Sequence, residues 1–274
     1  MRKGSSDLSG LPVLAATAML ALTALPALAS DNAQLRGLHA SPDAPAVDIY
    51  INDEIVDGVT DVPFGTLSGY LDVPAGDYNV KVFATGTTEG PVIDADVSLA
   101  AGKAYTAAAI GEVAAITAAV FEDGGMAAAD KAMVRVVHLS PDAPAVDVAP
   151  DGADAIVMGL ESPDATDYLS LDAGSYDLEV RIAGTTDVAL QLDPVELAAG
   201  QAYSVFAIGS AASPALGDNA LQVLMGVDAT TLPDTAVGAE NVAAGAPILI
   251  AAILLGFAAF ALTLVSRRRL ATDS

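Results

Sequence analysis

His39 and His138 are the only histidines in the 274-residue chain, and each opens the same decapeptide, His-x-Ser-Pro-Asp-Ala-Pro-Ala-Val-Asp. The first copy gathers His39, Ser41, Asp43 and Asp48, and the second gathers His138, Ser140, Asp142 and Asp147. These are the residue types of a nucleophile, a general base and an orienting carboxylate. Their setting argues against that use. Ser41 and Ser140 each precede a proline in a constrained turn, no Gly-rich nucleophile elbow surrounds them, and nothing supplies an evident oxyanion hole. A zinc site needs about three protein ligands, and each copy offers one imidazole and no thiolate. Calcium suits oxygen donors better, so Asp43, Asp48, Asp142 and Asp147 are its candidates, with Asp94 beside Asp96 and Asp151 beside Asp154, although no EF-hand loop is present. A structural role accounts for the same residues. Prolines fix φ, Ser and Asp side chains bond nearby N–H groups, and the imidazole closes the loop.

What positions these loops is a duplication. The decapeptides begin 99 residues apart, and two further pairs of stretches keep an offset of 98. Leu71 to Tyr78 answers Leu169 to Tyr176, and Leu99 to Gly111 answers Leu197 to Gly209. A period near a hundred residues is too long for a solenoid repeat and suits a β-sandwich copied in tandem. Short alternating runs between Gly, Pro and Asp turns predict strands. In Tyr78 to Val82 the apolar residues share one face, as do Tyr176, Leu178, Val180 and Ile182. One wet and one dry face is the pattern of an antiparallel sheet. Leu-x-x-Gly-x-x-Tyr, at Leu99, Gly102 and Tyr105 and again at Leu197, Gly200 and Tyr203, resembles a tyrosine corner, in which the hydroxyl bonds back to upstream backbone. The expected fold is therefore all-β: two tandem immunoglobulin-like antiparallel β-sandwiches over residues 34–123 and 132–227, joined by a linker at 124–131.

Composition limits the partners. The net charge is −24, with 35 acidic against 11 basic residues, and between the two ends only Arg36, Lys81, Lys103, Lys131, Arg135 and Arg181 are basic. Such a surface repels nucleic acid and anionic lipid. The acidity fits either solubility in high salt or a GC-rich genome. Cysteine is absent, so stability rests on packing alone.

The ends read as an export and anchoring device. Arg2 and Lys3, the apolar run Leu11 to Leu25 and the Ala27-Leu28-Ala29 ending predict a signal peptide over residues 1–29. A stalk at 228–245 leads to twenty uncharged residues, 246–265, about the thickness of a bilayer's hydrocarbon core. Arg267, Arg268 and Arg269 in the tail 266–274 set the domains outside the membrane. Leu232-Pro233-Asp234-Thr235-Ala236, before the apolar span, is similar to a sortase cell-wall sorting signal, with Ala236 departing from the commonest pattern. That resemblance implies a sortase as partner and cleavage after Thr235. The alternative is a plain membrane anchor.

The repeated Ser-Pro-Asp-Ala-Pro-Ala-Val-Asp, followed by Pro74 to Tyr78 or by Asp172 to Tyr176, resembles the exported domain of unknown function family 4397 over residues 35–227. The resemblance implies a β-sandwich surface protein of prokaryotes and transfers no catalytic residue. The expected function is a non-enzymatic cell-surface protein, displaying its domains for adhesion, envelope structure or binding of an extracellular protein or glycan. With no Trp in the chain, Tyr50 and Tyr70 are the aromatic candidates for a sugar platform. The competing reading is an extracellular hydrolase using His39 or His138.

Overall fold

The computed structural model describes residues 31–125, 127–212 and 219–229. The predicted signal peptide, sorting motif and apolar span lie outside these residues, and no helix within them is long and apolar enough to cross a membrane.

The first sandwich comprises β1 (Asn32–His39), β2 (Val47–Ile51), β3 (Glu54–Ile55), β4 (Leu71–Pro74), β5 (Gly76–Ala84), β6 (Ile93–Leu99), β7 (Ala104–Ile110) and β8 (Thr117–Asp123). The second repeats it as β9 (Lys131–His138), β10 (Val146–Pro150), β11 (Val157–Leu160), β12 (Leu169–Asp172), β13 (Gly174–Ile182), β14 (Val188–Leu197), β15 (Ala202–Ile208) and β16 (Gln222–Val227). The sheet orders match: β3-β2-β5-β6 faces β4-β1-β7-β8, and β11-β10-β13-β14 faces β12-β9-β15-β16.

Two expectations are corrected. The sheets are not purely antiparallel, because β1 runs parallel to β7 and β9 parallel to β15. The chain enters each sandwich on the strand beside the one that re-enters from the tyrosine corner, and both climb in the same direction. Nor does every sheet keep a wet face. Sheets β4-β1-β7-β8 and β12-β9-β15-β16 are covered on both sides, which gives four layers. Along β9, Ala132, Val134 and Val136 join the core of their own sandwich. The alternate residues Val137 and Leu139 pack with Leu38, Ala40, Ala108 and Ile110 of the first copy and with Phe206 and Ile208. Because side chains alternate along a strand, this third core requires the facing sheets to be buried twice over.

The direction of packing follows from two contacts. Arg36, midway along β1, donates to the carbonyl of Val227 at the end of β16, and the Pro42 carbonyl beyond β1 accepts from Asn219, before β16 begins. β1 thus advances from the end of β16 toward its start, in the same sense as β9 and β15. Both decapeptides therefore lie at one end of the molecule, and residues 31 and 229 lie at the other.

The tyrosine corners take the expected form. Tyr105 accepts a hydrogen bond at its hydroxyl from the Ala100 N–H (3.2 Å), and Tyr203 from the Ala198 N–H (3.0 Å). Gly102 and Gly200 turn the chain between sheets at φ +71° and +78°, a region a Cβ disfavours.

Candidate functional site

In both decapeptides the polar groups are turned inward. His39 is 2% exposed, and Ser41, His138 and Ser140 are fully buried. His39 contacts the Val62 carbonyl through Nδ1 (3.1 Å), whereas His138 contacts the Pro144 carbonyl through Nε2 (3.2 Å). A carbonyl only accepts, so each contacting nitrogen carries the proton and the two rings are opposite tautomers. Burial lowers the pKa of both imidazoles. Among the described residues the other ring nitrogens, His39 Nε2 and His138 Nδ1, have no partner, and neither does Ser41 Oγ.

No triad forms from these parts. Ser41 Oγ and His39 Nε2 are each without a hydrogen-bond partner, so they are not bonded to each other. Ser140 donates instead to Asp142 (3.3 Å).

The carboxylates are occupied by the fold. Asp48 accepts from the N–H groups of Asp61 (2.8 Å) and Gly86 (3.1 Å) and from the Thr85 hydroxyl (3.2 Å), tying two loops to β2. Those two N–H bonds hold its pKa below the usual range. Asp147 does the same with Gly159 (2.7 Å) and Gly184 (2.9 Å). Asp43 accepts from the Val113 N–H (2.7 Å). Asp142 accepts from Ser210 (2.6 Å), Ala211 (2.8 Å) and Ala212 (3.0 Å), and although burial alone raises its pKa, these donors outweigh it and the net shift is down. Among the described residues no group of three or more His, Asp or Glu is placed to hold a metal ion, and Asp94 and Asp96 meet on a shared donor, Asn79 Nδ2 (2.8 and 3.1 Å).

A different polar cluster lies between the sandwiches. Arg36 donates through Nη2 to Asp228 (2.6 Å), through Nη1 to the Val227 carbonyl (3.0 Å) and through Nε to Thr106 (2.8 Å). Arg135 mirrors it, donating to Asp123, to the Glu122 carbonyl (2.9 Å) and to Ser204 (2.7 Å). Each arginine of one sandwich thus engages the aspartate that closes the other. Tyr70 donates to Asp123 and Tyr168 to Asp228, both at 2.6 Å, while Arg36 lies 4.6 Å over the Tyr70 ring and Arg135 lies 5.1 Å over that of Tyr168. All four charged side chains are at most 5% exposed. Burial, with the adjacent Asp228, pushes the Tyr168 hydroxyl up to about 12, and burial raises that of Tyr70 further. Gly226 is required here, since a Cβ would lie 2.8 Å from Arg36 Nη1 and 2.7 Å from Leu67.

The sequence carried a signal for this cluster. Arg36 and Arg135 are two of only six bases between the ends and stand 99 residues apart, in strands whose neighbours are apolar. Asp228, expected to begin the stalk, is 2% exposed and belongs to the folded part. Asp123 is equally buried at the end of β8.

The loops at the decapeptide end differ in charge from the opposite end. The connections 40–46, 56–70, 85–92 and 111–116, and their counterparts 139–145, 161–168, 183–187 and 209–221, contain no Lys or Arg. Lys103 and Lys131 lie at the opposite end, bonded to Glu122 and Asp172.

This fold defines a class: a tandem all-β protein built from two copies of one β-sandwich. The chain belongs to the family described as Domain of unknown function (DUF4397), matched in two tandem copies over residues 33–149 and 150–247. No curated protein matches it. Among solved structures, it is similar to the Bacillus anthracis TIE protein at 11% identity, over 66% of this chain and 34% of that one, with a TM-score of 0.23. It is also similar to a family 26 carbohydrate-binding module of Eubacterium rectale Amy13K, solved with maltoheptaose, at 14% identity over 74% of this chain and 99% of that one, with a TM-score of 0.22. The chain spans about a third of the TIE protein's length. Scores this low define neither a shared fold nor a shared ligand.

Proposed function

We propose that the chain is a non-enzymatic surface-display protein, exported through residues 1–29 and held at its C-terminal side by residues 246–265 or, after cleavage at Thr235, by the cell wall. In this reading the decapeptide end is the outermost part. The observation that carries it is the common placement of both decapeptides opposite residues 31 and 229, which sets the anchor-proximal end of the sandwiches against the free end. Satisfied carboxylates and buried, oppositely protonated imidazoles support a scaffold role for the repeated motif over the hydrolase alternative.

Two measurements test it. Purified chain is screened against ester and peptide substrates beside a His39→Gln/His138→Gln variant. The expected result is no turnover above background in either, and turnover lost only in the variant would restore the hydrolase. For anchoring, Thr235→Ala is expected to move the protein from the wall fraction to the membrane fraction, and unchanged wall attachment would dismiss the sorting signal.

A further inference from the structure

The contact between the sandwiches is built so that a second copy of this chain can supply it. Each sandwich carries both halves of the charged contact, an arginine on its first strand and an aspartate at the end of its last. The pairs Arg36–Asp228 and Arg135–Asp123 join different sandwiches, as does the Asn219–Pro42 bond. Only the seven residues 124–130 connect the two covalently, and they begin and end at the same end of the molecule. The connection leaves β8 at Gly124, whose φ of +136° suits glycine, although no neighbour would obstruct a Cβ there.

We infer that two chains exchange sandwiches, the first of one docking on the second of the other through the surface used within a single chain. Identical contacts in the closed and exchanged forms leave the linker conformation to decide between them, the situation in which hinge changes drive domain swapping. The surface favours reclosure over any open form, because an opened chain parts Asp228 from Arg36 and Arg135 from Asp123, leaving Arg36 and Asp123 only each other, 3.5 Å apart within the first sandwich. It also selects the pairing. The connection 209–221 that carries Asn219 has a shorter counterpart at 111–116, so two first sandwiches brought together lack that bond. Both ends of the described chain lie at one end of the molecule, so neighbouring anchored chains can exchange side by side. The inference concerns the inter-sandwich surface and stands whether or not the proposed display role holds.

The test uses two differently tagged full chains, one Arg36→Asp and the other Asp228→Arg. Alone, each places like charges within the contact. Co-expressed, they match only by exchange, since the introduced carboxylate of one chain then meets the introduced guanidinium of the other while a native pair forms at the second contact. The expected result is equimolar co-purification of the tags at twice the single-chain mass, with little soluble protein from either chain alone. A second arm needs no charge change: Gly124→Val, which strains the closed connection, is expected to raise the dimer fraction above that of the unaltered chain in light scattering. Tags that fail to co-purify, whether the chains remain monomeric or stay insoluble together, would overturn the inference, as would a Gly124→Val chain with no higher dimer fraction.

Discussion

Asp228 is the residue on which the contact between the sandwiches turns. It accepts from Arg36, Tyr168 and Ser204, so removing it strips two hydroxyls of their acceptor and leaves Arg36 only the more distant Asp123 carboxylate, at 3.5 Å. Breaking one member of a buried pair costs about 3–5 kcal/mol, whereas replacing both by apolar groups is often neutral. Asp228→Ala is accordingly expected to lower stability by about that amount in urea melts, and Arg36→Met/Asp228→Leu by less. A double variant as unstable as the single one would remove the ion pair from the account. The histidines set a separate dependence. Their folded pKa values lie below 6.5, so between 6.5 and those values the unfolded chain binds protons that the folded chain refuses, and stability falls as pH falls. The melting temperature is expected to drop from pH 7.5 to pH 5, and His39→Gln/His138→Gln is expected to flatten the slope. The lowered pKa of Asp48 and Asp142 acts elsewhere: that stability is present above 3.8 and is lost as pH falls through the folded values.

At the scale of elements, two hydroxyls brace the turns that lead into β7 and β15. Tyr203→Phe leaves the N–H of the exposed Ala198 to water, so the expected loss is the net worth of one hydrogen bond, about 0.5–1.5 kcal/mol. The same loss is expected at Tyr105→Phe, and a neutral result at both would reduce the corner to packing. This device was legible in the sequence because its glycine and tyrosine keep one spacing in both copies, as were the alternating strands and the duplication itself. The parallel pairing of β1 with β7 was not, because alternation reports which face a residue occupies and says nothing of its neighbour's direction. Tyr70 shows the same limit. Read alone it is a candidate sugar platform, and only Arg36 above its ring and Asp123 at its hydroxyl make it a structural residue.

For the whole molecule, sequence reasoning separates two domains that the fold unites. Val137 and Leu139 look like residues of a half-buried strand, yet they face Leu38 and Ala40 across a third core. A buried arginine in such a strand was the visible sign, since a lone charge at that cost needs a partner. That partner, Asp228, lay in a stretch without strand alternation. The result is one body with an acidic end bearing both decapeptides and an opposite end bearing both chain exits. The proposed display role is tested most directly by height above the membrane, which the absence of cysteine makes accessible to single-site labelling. Glu89→Cys lies in a decapeptide-end loop, and Asp53→Cys follows β2 toward the other end. Asp53 stands level with Asn79, so the stretch of β5 from there to Ala84 sets the two sites roughly 17 Å apart along the strand. With donors at these sites and acceptor lipids in the cell membrane, the account predicts labelling from outside at both and markedly weaker energy transfer from the Glu89→Cys position. Labelling only after the cells are opened, or stronger transfer from Glu89→Cys than from Asp53→Cys, would contradict it.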